Sequence, residues 1–499
     1  MNIIFILLLP LIAAALVYLP LPFKKSWAAG VTLVSSSAIL ILAGRVAWVV
    51  SLGNSVTADL GAASDRWFAV DGLSALILLL IAFIGLTAAV FSVGYLAHEN
   101  LKPRKLRLYY LNYNLFVFSM LAIPVLAEPT LVWIVVELTT LASALLVSFD
   151  NTREALEAAW KYVVLSLMGA GMALFGFLVL FAAMQASGSA GAYTWNGLIA
   201  AAPLMPPVLL QTAFLLILIG LGTKVGLVPM HTWLPDAHSQ APSPACALLS
   251  GIETSAILYV ILRLFPVMQA APRSHAETWA LVLGMISVGT AAFLLLQVSD
   301  YKRMFAFSTV EHMGIVLTAV GLGASAAGYG AMQQIVSHAV TKSFCFFAAG
   351  AVLLSVETRQ ITSVQGLIRR DPFTGAALVF GGLAITGAPP LAVFLSEFSI
   401  LKAGLTQQHY VATGLLAFFI VIAFFGIMLQ INRMVFGAEE NEAATRPQNH
   451  HSEPGSAFRL PFSCRLALIL SAVPVLVLGL YIPKPLQDLL TQAAAALTK

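Results

Sequence analysis

Long apolar runs, broken at intervals by short polar stretches, dominate the chain. Runs of about 20 residues match a hydrocarbon core of ~30 Å when helical. They lack the two-residue alternation of lipid-facing strands, which argues against a strand-built barrel. The pattern predicts fourteen transmembrane helices, starting near Asn2, Trp27, Gly72, Tyr110, Thr130, Ala155, Val208, Ser243, Trp279, Met304, Ala326, Phe373, Tyr410 and Leu460. The fold class expected is therefore an all-α polytopic membrane protein. Residues 1–19 show no basic start and no small-residue cleavage site, and read as the first span, not a removed signal. The one long polar stretch, residues 437–456 with Glu439, Glu440, Glu442, Arg446, His450 and His451, reads as a solvated linker. Residues 485–499 read as a short amphipathic helix.

Composition narrows the class further. Of 499 residues, 60% are hydrophobic and only 10% charged, with a mean hydropathy of +0.91. Soluble domains carry about a quarter charged residues, so an ordinary cytosolic enzyme is excluded. Disorder is excluded by the apolar content and a disulfide scaffold by the cysteine count. Cys246, Cys345 and Cys464 stand singly in apolar stretches and read as small buried hydrophobes. A net charge of +4, with no clustered basic patch, gives no sign of nucleic-acid binding.

Where the charges fall predicts the topology. With fourteen spans, the odd-numbered loops hold Lys24, Lys25, Lys102, Arg104, Lys105, Arg107, Arg153, Lys302, Arg303, Arg359, Arg369, Arg370, Arg433, Arg446 and Arg459. The even-numbered loops hold little beyond Arg66 and Arg273. Cytoplasmic loops are the basic ones, so both termini are expected on the opposite face of a bacterial inner membrane.

A few ionisable residues remain inside the spans, where each is costly and marks a functional candidate. They are Glu137, Lys161, Lys224, Glu253, Glu311, His312, His338, Lys342 and Glu397, with His231 at the end of an interrupted span. Glu137 and Glu311 each follow a valine and lie 174 residues apart; Lys224 follows the first by 87 residues and Glu397 the second by 86. Gly222, Gly226 and Pro229 interrupt the span of Lys224, and Gly387, Pro389 and Pro390 precede Glu397. Five spans separate the two sets, an odd number, so the second is expected upside down relative to the first. Inverted repeats with interrupted helices point to an ion pathway near the midplane.

The residue types suit protons. Burial pushes carboxyl and ammonium groups toward a common working pH, and the charge of one sets the proton affinity of its neighbour. Arginine, which holds its proton, is absent from the series. Other readings stand beside this one. Lys161 lies near the end of its span, where it can snorkel. Glu311 beside His312 can be a static pair, Glu253 a satisfied structural acid, and Asp71 a helix cap. His312 and His338 form the one intramembrane pair that could ligate a haem, although Glu311 and Lys342 are awkward neighbours for it.

The run from Gly222 through Lys224, Pro229, His231, Pro235, Asp236 and His238 to Ser243 resembles the signature of the antiporter-like subunits. These occur in respiratory complex I, Mrp-type sodium/proton antiporters and group 4 [NiFe] hydrogenases. The likeness continues through Val70–Ala75, Ala158–Tyr162, Asp300–Met304, Ser337–Lys342 and Gly387–Phe398, and is strongest to the hydrogenase-4 component F branch around Val310-Glu311-His312. It implies inverted five-helix repeats, each with a broken helix, at 109–268 and 269–436. Helices 1–3 would occupy 1–108, and a polar loop, helix 14 and a tail 437–499.

The resemblance also implies proton translocation driven by redox chemistry elsewhere. No catalytic residue, metal ligand or cofactor site is expected in this chain itself. Iron–sulfur clusters and a nickel–iron or quinone site would sit in partner subunits of the membrane-bound complex. Glu137 would be the coupling glutamate, Lys224 the first-channel lysine, Lys342 the central relay with His338 beside it, and Glu397 the terminal carrier. Ser255 stands where many relatives have a lysine, so Glu253 or ordered water would bridge the half-channels. The alternatives are a sodium/proton antiporter subunit of an Mrp-like assembly, and a membrane anchor with a vestigial channel.

Overall fold

The computed structural model describes residues 2–19, 26–57, 67–99, 101–323, 325–438 and 459–497. Lys24, Lys25, Arg66 and the charged residues of the 437–456 stretch from Glu439 to His451 lie outside the described residues. The chain is helical almost throughout: α1 (Asn2–Tyr18), α2 (Ser26–Ser51), α3 (Gly72–His98), α4 (Pro103–Ala122), α5 (Pro129–Val147), α6 (Arg153–Ala186) and the short α7 (Trp195–Ala201) come first. Then follow α8 (Pro207–Val225), α9 (Trp233–Gln240), α10 (Ser243–Leu248), a π-helical turn (Leu249–Glu253), α11 (Thr254–Leu262), α12 (Phe265–Ala270), α13 (Ala276–Leu295), α14 (Tyr301–Gly321) and α15 (Ser325–Val356). The last elements are the one-turn α16 (Leu367–Arg370), α17 (Pro372–Ile385), α18 (Ala392–Thr406), α19 (Tyr410–Phe436), α20 (Phe462–Leu480) and α21 (Lys484–Ala495).

Among the described residues, eleven helices are long and apolar enough to cross a membrane, taking Ser243–Ala270 as one; Ile3–Tyr18 and Pro372–Ile385 are shorter and apolar. A helix begins near each predicted start. The largest offset is at Tyr110, where α4 already begins at Pro103 and carries Arg104, Lys105 and Arg107 in its first turns. These long basic side chains reach toward water and let a helix outrun its apolar stretch.

Local chemistry sets the helix starts. Glu128 caps α5 from the residue before Pro129, accepting from the amides of Thr130 (3.2 Å) and Leu131 (2.9 Å). Asp300 does the same for α14 through Lys302 (2.7 Å) and Arg303 (3.1 Å), and Thr152 for α6 through Ala155 (3.1 Å). Asp71 caps α3 at Ser74 (3.0 Å), which satisfies the cap reading of that residue. It also forms a forked ion pair with Arg263, at the far end of the Ser243–Ala270 run.

The core is a ring of helices around α15. The Ser243–Ala270 run is buried throughout its most apolar window, whereas α19 is 28% buried. Val411, Leu415, Phe418, Phe425 and Leu429 of α19 point outward while Leu416, Ala423, Ile427 and Ile431 point in. An apolar outer face suits hydrocarbon, not water, and the chain is an integral membrane protein. Glycines set the close helix crossings. A Cβ on Gly220 of α8 would lie 2.5 Å from the Gly169 carbonyl of α6, and one on Gly314 of α14 2.9 Å from the Gly284 carbonyl of α13.

Two helices are interrupted. After α8 the chain turns through Gly226 (φ +87°), and after α17 through Gly387 (φ +69°). The peptide bonds before Pro229 and Pro390 are both cis. The freed backbone groups find partners: Val228 N–H donates to Ser287 Oγ (3.1 Å), and the Trp233 indole to the Thr223 carbonyl (2.7 Å).

Two predictions follow from the packing and the cap. Gly220→Val sets a side chain against backbone that cannot yield, at a cost of about 1–3 kcal/mol. Its thermal midpoint in detergent is expected below that of Gly171→Val, since a Cβ on Gly171 of the same α6–α8 pair meets nothing within 4 Å. For Asp71, burial alone would push the carboxyl up, but the Arg263 guanidinium and the Ser74 bonds hold it at about 2, below its ordinary 3.8. A depressed carboxylate contributes stability above its unfolded value and loses it as pH falls through the folded one. Asp71→Asn should therefore melt lower than the parent at pH 7, and the gap should close as pH falls from about 4 toward 2.

Candidate functional site

Lys224 lies in the last turn of α8, just before the break at Gly226, and is 2% exposed. Its ammonium donates to the Val136 carbonyl and to Thr139 Oγ1 (2.7 Å), both on α5. Glu253, 1% exposed, closes the π-helical turn with one carboxylate oxygen 3.9 Å from the lysine nitrogen. That oxygen also accepts from Thr139 (2.8 Å) and Tyr162 (3.2 Å), while the other is buried with no protein partner. A π turn adds a residue to the ring and re-aims the side chains that follow it. Glu137, next to Val136, is half-buried, and both its oxygens are shielded without a hydrogen bond. Of the two glutamates, Glu253 is the one recorded within 4 Å of the Lys224 nitrogen.

The second site repeats this donor pattern. Lys342 of α15, fully buried, donates to the Phe305 carbonyl and to the Ser308 hydroxyl of α14. In both sites a lysine takes a carbonyl and the hydroxyl three residues further along a neighbouring helix. Glu311, one turn beyond Ser308, lies in the field of Lys342.

His312 is fixed in a network. Its Nε2 is 3.0 Å from the Ile385 carbonyl at the end of α17, and its Nδ1 is 2.7 Å from the Gln334 amide. A carbonyl only accepts, so Nε2 carries the proton and Nδ1 accepts from Gln334, whose oxygen accepts from Ser396 (2.5 Å). Neither nitrogen of His312 is then left for an axial bond to haem. The His338 ring sits 5.4 Å from His312, and both its nitrogens are buried without a partner. Glu397 packs its carboxylate on Gly387, where any Cβ would strike it. Between the sites, Ser250 of the π turn and Thr309 of α14 share a hydrogen bond of 2.5 Å.

The remaining candidates lie apart from these clusters. Lys161 is half-exposed and pairs with Glu157 (2.7 Å) and Asp236 (3.1 Å); Asp236 also binds Arg303 (2.7 Å). That is the rim position that the snorkelling alternative described. His231 follows the first break, with Nδ1 buried and unpartnered and its ring 6.4 Å from Phe307 of α14. Ser255 is buried, and its hydroxyl has no partner.

Thr139, Tyr162, Ser308, Gln334 and Ser396 carry no charge and are not among the residues expected from the sequence, although Gln334 stands out inside an apolar run. Lys302, expected in a loop, lies instead at the start of α14. The residue is 1% exposed and donates to the Ala241 carbonyl. Among the described residues, no group of three or more His, Cys, Asp or Glu could hold a metal ion.

Residues 127–425 match the family described as NADH:quinone oxidoreductase/Mrp antiporter, TM, and residues 63–104 match that of complex I chain 5 N-terminus. The chain belongs to this antiporter-like family. It is 37% identical over 424 residues to a hydrogenase-4 component F homolog of Methylacidiphilum infernorum, covering 84% of this chain and 86% of the other. It is 28% identical over 500 residues to NADH-quinone oxidoreductase subunit N of Desulforudis audaxviator, covering 96% and 95%. Two solved assemblies share the fold, each with a TM-score of 0.85. One is the archaeal membrane-bound sulfane sulfur reductase (23% identity, covering 100% and 98%), and the other the Mrp complex of a Dietzia species (21%, covering 100% and 97%). An antiporter-like membrane subunit of this kind is consistent with proton translocation.

If Lys224 and Glu253 neutralise one another, removing one partner strands a buried charge at a cost of about 3–5 kcal/mol. Lys224→Met combined with Glu253→Gln should then be more stable than the sum of the single variants by about 1–3 kcal/mol in a thermal or denaturant cycle. Strict additivity would show that the two do not interact.

Proposed function

We propose that the chain is a proton-translocating membrane subunit of a redox-driven complex, of the group 4 hydrogenase or complex I kind. The observation that carries this reading is the repeated site: two buried lysines, each held by a carbonyl and a hydroxyl, with Glu253 3.9 Å from the first and Glu311 one turn beyond the hydroxyl that holds the second. An ammonium so held has few partners to lose. When a neighbouring carboxylate takes up or gives away a proton, the lysine's own affinity changes, and the proton moves on. The Ser250–Thr309 bond and the unpartnered oxygen of Glu253 make the π turn the bridge between the halves. This is the place where Ser255 leaves no ammonium of its own.

We read the architecture as fourteen spans, with α8–α9 and α17–α18 each one interrupted span, and inverted repeats at 109–268 and 269–436. Gly226 and Gly387 support this by turning the two breaks alike. The segments around Asp150, Ser239, Asp300 and Arg359 meet at common cavities, which supports odd-numbered loops sharing one face. That face would be cytoplasmic, in a bacterial inner membrane, with both termini opposite. Partner membrane subunits would flank the chain, and iron–sulfur clusters with a nickel–iron or quinone site would lie in redox partners.

The test is Lys342→Ala in the assembled complex. Inverted membrane vesicles energised with hydrogen or NADH are read with an oxonol dye for membrane potential, alongside the rate of donor oxidation. Loss of potential with the complex still assembled supports the relay. Full potential in Lys342→Ala removes it in favour of the anchor reading, and a potential that depends on sodium at fixed pH favours the antiporter reading.

A further inference from the structure

Arg45 stands apart from the glutamates, lysines and histidines that gather around the two lysine sites. It lies within α2, a helix of 26 residues long and apolar enough to cross a membrane, and it is exposed. Among the described residues it has no hydrogen-bond or ion-pair partner. Of the helices packed on α2, α1, α3 and α4 contain no acid, and the one acid of α21, Asp488, is paired with Lys484 (2.6 Å). A carboxyl or an amine facing hydrocarbon can turn neutral, but a guanidinium keeps its charge.

Depth and direction decide what can neutralise it. α2 is about 39 Å long, against a hydrocarbon core of ~30 Å. Arg45 is six residues short of Ser51, about 9 Å along the axis, so a centred helix puts its Cα ~4 Å inside the nearer hydrocarbon edge. A helical side chain leaves the backbone leaning toward the helix N-terminus, which here is away from that edge. To reach the headgroups, the guanidinium would have to double back over Trp48, Val49 and Leu52, all exposed and apolar. The lean that lets Arg104 and Lys105 at the start of α4 reach water works against an arginine near the end of α2.

The rest of this face leaves room for a neighbour. Gly30, Val34, Ile41, Gly44, Arg45 and Trp48 fall within about 100° of arc at 3.6 residues per turn. A Cβ on Gly30 or Gly44 would meet nothing within 4 Å, so a second helix can come close beside the arginine. Open glycines also occur at Gly171 of α6 and Gly414 of α19, so the charge, not the small residues, singles out this face.

We propose that this face of α2 docks a transmembrane helix of a neighbouring membrane subunit, with an Asp or Glu of that helix paired to Arg45 inside the membrane. The planar guanidinium offers two parallel N–H donors to the two carboxylate oxygens. Each charge alone is costly in hydrocarbon, so the pair fixes the register of the two helices and selects the partner. The inference rests on the partner-subunit part of the function proposed above, not on its proton chemistry.

The test uses the complete complex, extracted from its membrane in mild detergent and separated on a native gel. Arg45→Leu and Arg45→Glu should each reduce the share of this chain held in the complex by about tenfold or more, the glutamate further than the leucine. Both variants should insert into the membrane at the parent's level, because Arg45 has no partner within the chain. In the otherwise unchanged complex, a photo-crosslinking benzoylphenylalanine in place of Trp48 should capture another subunit. Peptide mapping should find an Asp or Glu of that subunit within a turn or two of the adduct. Exchanging that acid for arginine should restore assembly to Arg45→Glu and impair it with the parent chain. Normal assembly of Arg45→Glu overturns the inference and leaves the proton relay untouched. So does an adduct confined to phospholipid, which makes the arginine a headgroup anchor, or one confined to a second copy of this chain. Full potential in Lys342→Ala with Arg45→Glu unassembled has the opposite meaning: it removes the relay and keeps the docking face.

Discussion

An ammonium inside an apolar body is what the rest of this structure is arranged around. Lys224 and Lys342 cannot be solvated by hydrocarbon, so each must find acceptors within the protein. Both find a backbone carbonyl together with the hydroxyl one turn later. A helical carbonyl already accepts one bond from its own ladder, and its second lone pair is free for a cation. The hydroxyl adds an acceptor without adding charge. Such a cradle is neutral, so it holds a lysine without fixing its protonation state as a permanent carboxylate would.

The interrupted helices follow from the same constraint. A continuous helix uses up its interior backbone groups, while a break leaves carbonyls and amides that must be matched locally. Around the first break, Ser287 and Trp233 take them up; at the second, the Ile385 carbonyl binds His312. The break thus ties a titratable ring to the end of a half-helix. Gly387 is required there twice over: its φ of +69° suits glycine, and the Glu397 carboxylate occupies the place of a side chain.

Much of this was legible because charge is scarce. Each ionisable residue in an apolar run stood out, and the helix starts and the breaks at Gly226 and Gly387 could be read from the sequence; spacing tied Lys224 to Glu397, whereas the role expected of Lys342 came from the family resemblance. What could not be read was pairing. Glu137 and Glu253 both stand in apolar runs, and that Glu253 lies 3.9 Å from Lys224 depends on a π turn that no periodicity announces. Lys161 and Lys302 exchanged expectations for an equally local reason. One sits on a helix face that reaches the rim, and the other has a carbonyl to bind beneath it. A neutral partner such as Ser308 carries no charge to mark it, whereas Gln334 stands out within its apolar run.

The two lysine sites differ in the charge around them. The first site holds its lysine near a buried carboxylate, while Lys342 is cradled by a carbonyl and a hydroxyl, with Glu311 one turn beyond Ser308. An ammonium next to a carboxylate is held more firmly than one in a neutral cradle, because separating them strands two charges. The two lysines therefore differ in their charged surroundings, although their immediate acceptors match. Ser250 of the π turn and Thr309 of α14, 2.5 Å apart, join the element that carries Glu253 to the helix that cradles Lys342.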